Sequence, residues 1–130
     1  RPLIHCRDIA RAFVAFLEAP DDAFTHTAVN VGANEENFQV KDVATTIQSL
    51  LPEADITFTG EIGADPRTYR VNFDRLGTML PDFKLAYTLR TGLEELLAML
   101  EKHGFSHEEF EGDRFVRVRT LQRRTDRLGL

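Results

Sequence analysis

The side chains best suited to acid–base or nucleophilic chemistry near neutral pH stand together near the start of the chain, as His5 and Cys6. An imidazole changes its charge near neutral pH, which makes His5 the first candidate. Adjacent residues of an extended segment point in opposite directions, so adjacency alone does not make these two a catalytic pair. Because His5 follows the apolar residues Leu3 and Ile4 and precedes an expected helix cap at Asp8, we predict a structural hydrogen bond for His5 and no catalytic role.

Metal-ligating side chains are sparse. The four histidines, His5, His26, His103 and His107, are scattered along the chain. His103 and His107 have the i, i+4 spacing of two ligands on one helix face, but Gly104 lies between them and no third ligand is evident. Because a zinc site needs at least three protein ligands, we expect none here.

A cradle for a dinucleotide cofactor is also missing from the sequence. No Gly-x-Gly-x-x-Gly run follows a predicted strand. In dinucleotide-binding folds those glycines let the backbone approach the pyrophosphate at a helix N-terminus. We therefore expect this chain to bind no NAD or NADP by itself.

The composition is that of an ordinary globular domain. With 130 residues, of which 42% are hydrophobic, the chain can bury one modest core, so we expect a single domain. The formal net charge of −5 argues against a general nucleic-acid binder, since such proteins are usually basic. The single cysteine fits a reducing compartment and predicts a cytoplasmic location. No apolar run reaches the roughly 18 residues of a membrane span, so no membrane partner is expected.

Apolar residues at helical spacing predict four helices before position 105. The first helix follows Asp8. The second ends before Pro52, because a proline ring cannot continue a helix. A short third helix ends at about Leu80, and the fourth begins at an N-cap, Thr88, and stops at Gly104. Leu76 and Leu80 of the third helix are expected to point inward. The apolar positions that define one face of each of the other helices are Ile9, Ala12, Phe13, Phe16, Leu17, Val40, Val43, Ala44, Ile47, Leu50, Leu51, Leu89, Leu93, Leu96, Leu97 and Leu100. Three short strands are predicted at residues 3–4, 27–31 and 56–59, with a further extended piece at 69–71.

The tail, residues 106–130, has a less regular pattern. One helical turn capped by Ser106 is expected first. Beyond it stand six arginines, and the spacing of Phe115, Val118, Leu121 and Leu128 favours a helix over the strand that Val116, Val118 and Thr120 would form. We expect the arginines to make helix-face ion pairs with Glu108, Glu109 and Glu111.

Four runs of residues together resemble one protein family. They are Arg1, Leu3, Ile4, His5, Asp8, Ile9 and Ala10; Asn30-Val31-Gly32; Asp65-Pro66-Arg67-Thr68-Tyr69-Arg70-Val71; and Thr88-Leu89-Arg90-Thr91-Gly92-Leu93. In this order they resemble the substrate-binding part of the extended short-chain dehydrogenase/reductases, the NAD(P)-dependent nucleotide-sugar epimerases and dehydratases. The resemblance covers about residues 1–105, and the tail follows it.

The resemblance implies a fold and a division of labour. The fold class would be α/β: a small C-terminal substrate-binding subdomain of a Rossmann-type enzyme, mostly helical, with about three short strands. A preceding N-terminal Rossmann domain would bind NAD or NADP, and the whole enzyme would be a homodimer. The segments 3–4 and 27–31 would border that domain, so the isolated chain would expose an apolar patch and self-associate. The chain itself would be inactive, because Tyr69 and Tyr87 are followed four residues later by Phe73 and Thr91 and not by the lysine of the family's catalytic Tyr-x-x-x-Lys pair.

The resemblance also implies which residues grip the substrate. In the family the arginine at the position of Arg1 contacts the pyrophosphate of the nucleotide-sugar, and a guanidinium presents paired donors that match phosphate oxygens. Several members carry a second phosphate-binding arginine just before the Asp-Pro pair, where this chain has Glu61, Ile62, Gly63 and Ala64. Arg67 is expected to take over that role, as in the subgroups with Asp-x-Arg-x-Tyr.

A different class of function stays open from the sequence alone, a non-catalytic binding module that acts through the arginine-rich tail. The sequence upstream of Arg1 distinguishes the two. A glycine-rich strand–turn–helix there favours the enzyme, whereas an initiator Met directly before Arg1 favours the module. The abrupt start at Arg1 leads us to expect the back part of a longer protein.

Overall fold

A computed structural model describes residues 1–20, 28–59, 68–112 and 115–129 of the chain. The chain divides into two compact units, Arg1–Glu94 (unit 1) and Glu95–Leu130 (unit 2), and the division falls within a helix. Helical residues make up 57% of the described ones. None of the helices in these ranges is long and apolar enough to cross a membrane.

The described residues form six α-helices and one 3₁₀ turn. They are α1 (Cys6–Glu18), the 3₁₀ turn Asn34–Glu36, α2 (Val40–Leu50), α3 (Asp74–Met79), α4 (Leu89–Lys102), α5 (His107–Glu111) and α6 (Arg117–Leu128). Each helix predicted from apolar spacing is confirmed, including the helix favoured for the arginine-rich tail. A helix shows its period over three or more turns, which makes it readable from one sequence.

The predicted α/β fold class is wrong in its β component. Three short strands were expected, yet none of the described residues belongs to a strand or a sheet. The nearest feature is one antiparallel bridge between Pro2 and Asn37. Alternating apolar side chains indicate that one face is covered, but they do not supply the neighbouring backbone that a strand ladder requires. Position 27 of the second predicted strand lies outside the described residues.

Helix α1 begins earlier than the sequence indicated, so the prediction of Asp8 as its N-cap is wrong. The N-cap is His5, whose Nδ1 accepts a hydrogen bond from the N–H of Arg7 at 3.3 Å. The predicted structural hydrogen bond of His5 is thereby confirmed. Asp8 lies one turn further on, where its carboxylate accepts the N–H groups of Ala86 and Tyr87. A carboxylate held by a distant segment is not available to cap its own helix.

Unit 1 has a small buried core. It consists of Ala12 on α1 together with Phe73, Leu76 and Leu80 around α3. The predicted inward direction of Leu76 and Leu80 is confirmed. Gly32 packs so closely on the Phe73 ring that a Cβ at position 32 would lie 2.5 Å from Cε1 of that ring. The absence of a side chain at Gly32 therefore lets the chain pass directly over the core.

Side-chain caps begin both α2, which lies in unit 1, and α4, whose first residues belong to unit 1. The backbone N–H of Gln39 donates to the Asp42 carboxylate at 2.8 Å at the start of α2, which ends two residues before Pro52 as predicted. Thr88 caps α4, because its hydroxyl accepts the N–H of Thr91 at 3.3 Å, and the Thr91 hydroxyl accepts the N–H of Thr88 at 2.9 Å. The predicted N-cap at Thr88 is confirmed.

Edge-on contacts between aromatic rings and helix caps stabilise unit 2. The Phe105 ring meets the rings of Phe110 and Phe115 edge-on, with centroid separations of 6.2 and 4.8 Å. Gly104 follows α4 with a φ of +60°, a left-handed conformation that favours glycine and ends the helix as predicted. Ser106 caps α5 with its hydroxyl, again as predicted. No described residue of unit 2 is fully buried.

Candidate functional site

Arg1, the first predicted substrate-binding residue, is positioned by its backbone. The carbonyl of Arg1 accepts the N–H of Phe38 at 3.0 Å, and the N–H of Leu3 donates to the carbonyl of Glu36 at 3.0 Å. These bonds align residues 1–3 antiparallel to residues 36–38. The short pairing fixes the direction in which the exposed Arg1 side chain leaves the backbone.

Two asparagine side chains connect this pairing to the segment 71–73. The Asn37 amide pairs with the backbone of Val71 in both directions, donating to its carbonyl at 3.0 Å and accepting its N–H at 2.9 Å. The Asn34 side chain accepts the N–H of Phe73 at 2.9 Å. An amide side chain can replace a peptide group in this way because it carries both a donor and an acceptor. The result is a connection between residues more than thirty positions apart in sequence.

These connections place Arg1 beside Tyr69. The guanidinium carbon of Arg1 lies 6.0 Å from the centroid of the Tyr69 ring, at the outer limit of a cation–π contact. Tyr69 is 47% exposed and Arg1 is exposed as well. A guanidinium held against an aromatic ring and open to solvent presents an anion-binding group next to a stacking surface. We call this pair the Arg1–Tyr69 site.

Arg67, the second predicted substrate-binding residue, lies outside the described residues. Its neighbour Arg70 is exposed. The structure therefore brings the first and third of the family-like runs together at Tyr69.

Asp8 is the most buried charged residue of the described chain, with no exposed surface. Its two carboxylate oxygens accept the N–H of Ala86 at 3.0 and 3.1 Å, and one of them accepts the N–H of Tyr87 at 3.0 Å. The Arg11 guanidinium on the same helix lies 2.5 Å away. These bonds fix the two residues that directly precede the fourth family-like run against the start of α1, which belongs to the first run.

The same contacts set the protonation of Asp8. Burial by itself raises the pKa of the Asp8 carboxyl, but the hydrogen bonds from Ala86, Tyr87 and Arg11 together outweigh burial and hold the pKa below its ordinary value. Asp8 is therefore a carboxylate at neutral pH. Both carboxylate oxygens accept structural hydrogen bonds, which argues against a proton-transfer role for Asp8.

His5 and Tyr87 form a second connection between α1 and the start of α4. Their rings are stacked with centroids 3.9 Å apart and an interplanar angle of 16°. The Tyr87 hydroxyl accepts a hydrogen bond from Arg7 at 3.1 Å. A Cβ at Gly92 would lie 3.3 Å from the His5 ring, so glycine suits this position. The histidine is a packing and capping residue.

The pKa of the Glu36 carboxyl is shifted in the opposite direction to the pKa of Asp8. Its carboxylate accepts the N–H of Leu89 at 2.9 Å, at the first turn of α4. Partial burial raises the pKa of the Glu36 carboxyl, the nearby Glu35 adds to the rise, and the hydrogen bond from Leu89 only partly offsets it. Position 36 therefore requires a hydrogen-bond acceptor for the Leu89 N–H more than it requires a negative charge.

An apolar groove of about 640 Å³ runs along α1 on the side of residues 29–31. Its lining is Ile4, Ile9, Ala12, Phe13, Phe16, Leu17, Val29, Val31 and Met79. Phe13 and Leu17 are 68% and 86% exposed. Exposed apolar side chains grouped in this way are common at protein interaction surfaces. The groove includes Ile4, Val29 and Val31, so it lies in the region where the apolar patch was expected.

Clusters of metal-ligating side chains are absent from the described ranges. No three His, Cys, Asp or Glu side chains there converge in a way that could hold a metal ion. Cys6 is exposed at the start of α1. Among the described residues, the Arg1–Tyr69 site is the best suited to hold part of a cofactor. Its guanidinium can bind a phosphate, but it has no glycine-rich loop to hold a dinucleotide.

Sequence reasoning missed several residues of this arrangement. Asn37 carried no signal of its own, and Tyr69 was noted only as a member of a family-like run, because the contacts that involve these two residues join distant positions. Asp8 did carry a signal, which the cap prediction misread. An aspartate followed by Ile9 and preceded by an apolar run is compatible with a helix cap or with a buried anchor, and only the position of Ala86 and Tyr87 decides between them.

Comparison with known proteins returns no match to this chain from family models, curated proteins or solved structures.

Proposed function

We propose that this chain is the nucleotide-sugar-binding portion of an NAD(P)-dependent nucleotide-sugar epimerase or dehydratase of the extended short-chain dehydrogenase/reductase type. The observation that carries the proposal is the placement of the Arg1 guanidinium 6.0 Å from the Tyr69 ring centroid. The two residues come from separate family-like runs, and they meet in an exposed pair suited to a nucleotide diphosphate.

The chemistry of this pair fits that ligand. A guanidinium donates paired hydrogen bonds to phosphate oxygens in a fixed geometry. An exposed aromatic face can stack on a nucleobase or on a sugar ring. In this proposal Arg1 binds the pyrophosphate, the neighbouring Tyr69 ring stacks on the base or sugar, and Arg67 contributes a second cation.

The contribution of these residues to the reaction is positioning. The cofactor, NAD or NADP, supplies hydride chemistry from an N-terminal Rossmann domain that also carries the Tyr-x-x-x-Lys pair. Holding the nucleotide-sugar by its phosphates makes the reaction of sugar and cofactor effectively unimolecular. The apolar groove along α1 is the surface on which that domain packs, and the enzyme works in the cytoplasm.

The test is steady-state kinetics of the enzyme that contains this chain. The phosphates do not react, so Arg1 binds the ground state and the transition state equally, and its loss raises KM while leaving kcat nearly unchanged. A hydrogen bond to a charged group is worth roughly 1.5–3 kcal/mol, so Arg1→Ala should raise KM roughly ten- to a hundredfold. Arg1→Lys should recover part of the loss, and Arg67→Ala should act in the same direction.

Lys41→Ala is the matched control, because Lys41 is an exposed cation of α2 that belongs to neither proposed site. Its KM should equal that of the wild type. An Arg1→Ala enzyme with unchanged KM, or one that loses kcat with KM intact, would contradict the clamp.

A second measurement tests where the cofactor site lies. The isolated chain should show no heat of binding when titrated with NAD(H), because it lacks the glycine cradle and the Tyr-x-x-x-Lys pair. Binding at low micromolar NAD(H) would mean that the division between cofactor and substrate portions is drawn wrongly.

A further inference from the structure

Helix α6 carries an apolar stripe that its own unit leaves open. Val118, Leu121 and Leu128 are spaced by three and seven residues, which places them on one face of the helix. They are 62%, 54% and 73% exposed. A helix whose apolar face is exposed lacks the packing that normally stabilises it, which points to a covering partner.

The polar side of α6 is strongly basic. The helix holds five arginines and one aspartate, in a chain whose formal net charge is −5. Arg117 and Arg124 lie four and three residues from Leu121, so they border the stripe. Neither they nor Arg127 form an ion pair with any residue in the described ranges.

The opposite charge stands next to α6 in the same unit. Helix α5 carries Glu108, Glu109 and Glu111, and the α5–α6 connection is close, because Arg119 donates to the carbonyl of Glu111 at 2.6 Å. The exposed Phe110 lies among these glutamates. Phosphate groups of a lipid or nucleic-acid surface that met α6 would also meet the α5 carboxylates, and like charges at close range are unfavourable.

We propose that a second copy of this chain covers the face. In a two-fold dimer the α6 stripes pack on each other, and Arg117 and Arg124 of each copy pair with Glu108 and Glu111 of the other. A two-fold interface places each complementary pair twice, so a surface with both charges and an apolar stripe is self-complementary. This inference does not depend on the nucleotide-sugar proposal, because all its residues lie in unit 2.

The interface is small, which makes the association concentration-dependent. A helix of 12 residues is about 18 Å long at about 1.5 Å per residue, and short helix pairs fall at the low end of specific interfaces. Sedimentation velocity over a range of concentrations should therefore show a monomer–dimer equilibrium. Leu121→Ser should weaken it at least about tenfold.

A matched control separates this face from the α1 groove. Leu17→Ser removes an exposed leucine of unit 1, and the dimer should persist. A dimer lost with Leu17→Ser and kept with Leu121→Ser would overturn the proposal in favour of the groove. Circular dichroism establishes that both variants keep their helices.

Charge reversal provides the sharper test. One variant carries Arg117→Glu and Arg124→Glu, and a second carries Glu108→Lys and Glu111→Lys. Each alone should remain monomeric, whereas an equimolar mixture should form a heterodimer, since the acidic α6 of the first matches the basic α5 of the second. A mixture that stays monomeric, a wild type that is monomeric throughout, or wild-type binding to phosphatidylserine vesicles that Leu121→Ser abolishes would overturn the proposal.

Discussion

Units 1 and 2 stabilise their helices by different means. In unit 1 the apolar side chains of Phe73, Leu76 and Leu80 are buried, and the fully buried Asp8 fixes a distant segment. In the described part of unit 2 no residue is fully buried, and the helices depend on caps and on ring edges. The difference indicates that unit 1 has the interior of a folded domain, whereas the apolar side chains in the described part of unit 2 stay at least partly exposed. Substitutions in the two units should therefore differ in their effect on stability.

The largest effect is expected at Asp8. Asp8→Ala removes the acceptor of the part-buried Ala86 and Tyr87 N–H groups and of the Arg11 guanidinium, so the free energy of unfolding should fall by about 3–5 kcal/mol. Urea denaturation followed by circular dichroism measures this. Asp82→Ala, at an exposed aspartate, is the control and should change stability little. Equal losses for both variants would contradict an anchoring role for Asp8.

Replacing a core leucine in unit 1 and an exposed leucine in unit 2 compares the stability of the two units directly. Leu76→Ala in unit 1 creates a cavity and should cost about 2–4 kcal/mol, whereas Leu128→Ala in unit 2 should change the free energy of unfolding by about 0.5 kcal/mol or less at concentrations where the chain is monomeric. The same denaturation experiment serves. A large loss for Leu128→Ala in the monomer would show that unit 2 has a core of its own.

The asparagine bridge should have an intermediate effect. Asn37→Ala removes both hydrogen bonds to the Val71 backbone and should cost about 1–2 kcal/mol. Because this bridge places Tyr69, the variant should also raise KM for a nucleotide-sugar in the complete enzyme. Thr45→Ala, on the exposed surface of α2, is the control for both measurements. Lost stability with unchanged KM would separate Asn37 from the Arg1–Tyr69 site.

The smallest effect is expected at Glu36, and pH distinguishes it from Asp8. The raised pKa of Glu36 means that the folded chain holds this proton more tightly than the unfolded chain, so ionisation costs stability as pH rises through the folded pKa. Glu36→Gln keeps the acceptor for Leu89 and should leave stability at pH 7 unchanged, or raise it by about 0.5 kcal/mol.

Asp8 has the reverse dependence. Its lowered pKa contributes stability that is complete above its unfolded pKa and is lost as pH falls through the folded pKa, in the acid range below the usual carboxyl value. Denaturation from about pH 2 to 7 should therefore show a steeper acid loss in wild type than in Asp8→Asn, and a slightly shallower loss in wild type than in Glu36→Gln. Identical pH profiles for all three proteins would contradict both assignments.

The sequence by itself determined the helices. The spacing of Leu89, Leu93 and Leu97 repeats over several turns, and Pro52 and Gly104 end helices through their own backbone chemistry, so each helix is encoded within its own segment. The same locality made the cap at Ser106 predictable.

Only the tertiary structure decided the site and the β content. A strand requires a partner that its own residues do not specify, so the alternation at 56–59 predicted a strand that is not formed. Arg1 meets Tyr69 because Asn37 binds Val71, and Asp8 is an anchor because Ala86 and Tyr87 reach it. These contacts join positions 34 to 79 residues apart, and the free energy of such long-range pairing depends on the whole fold and not on any local pattern.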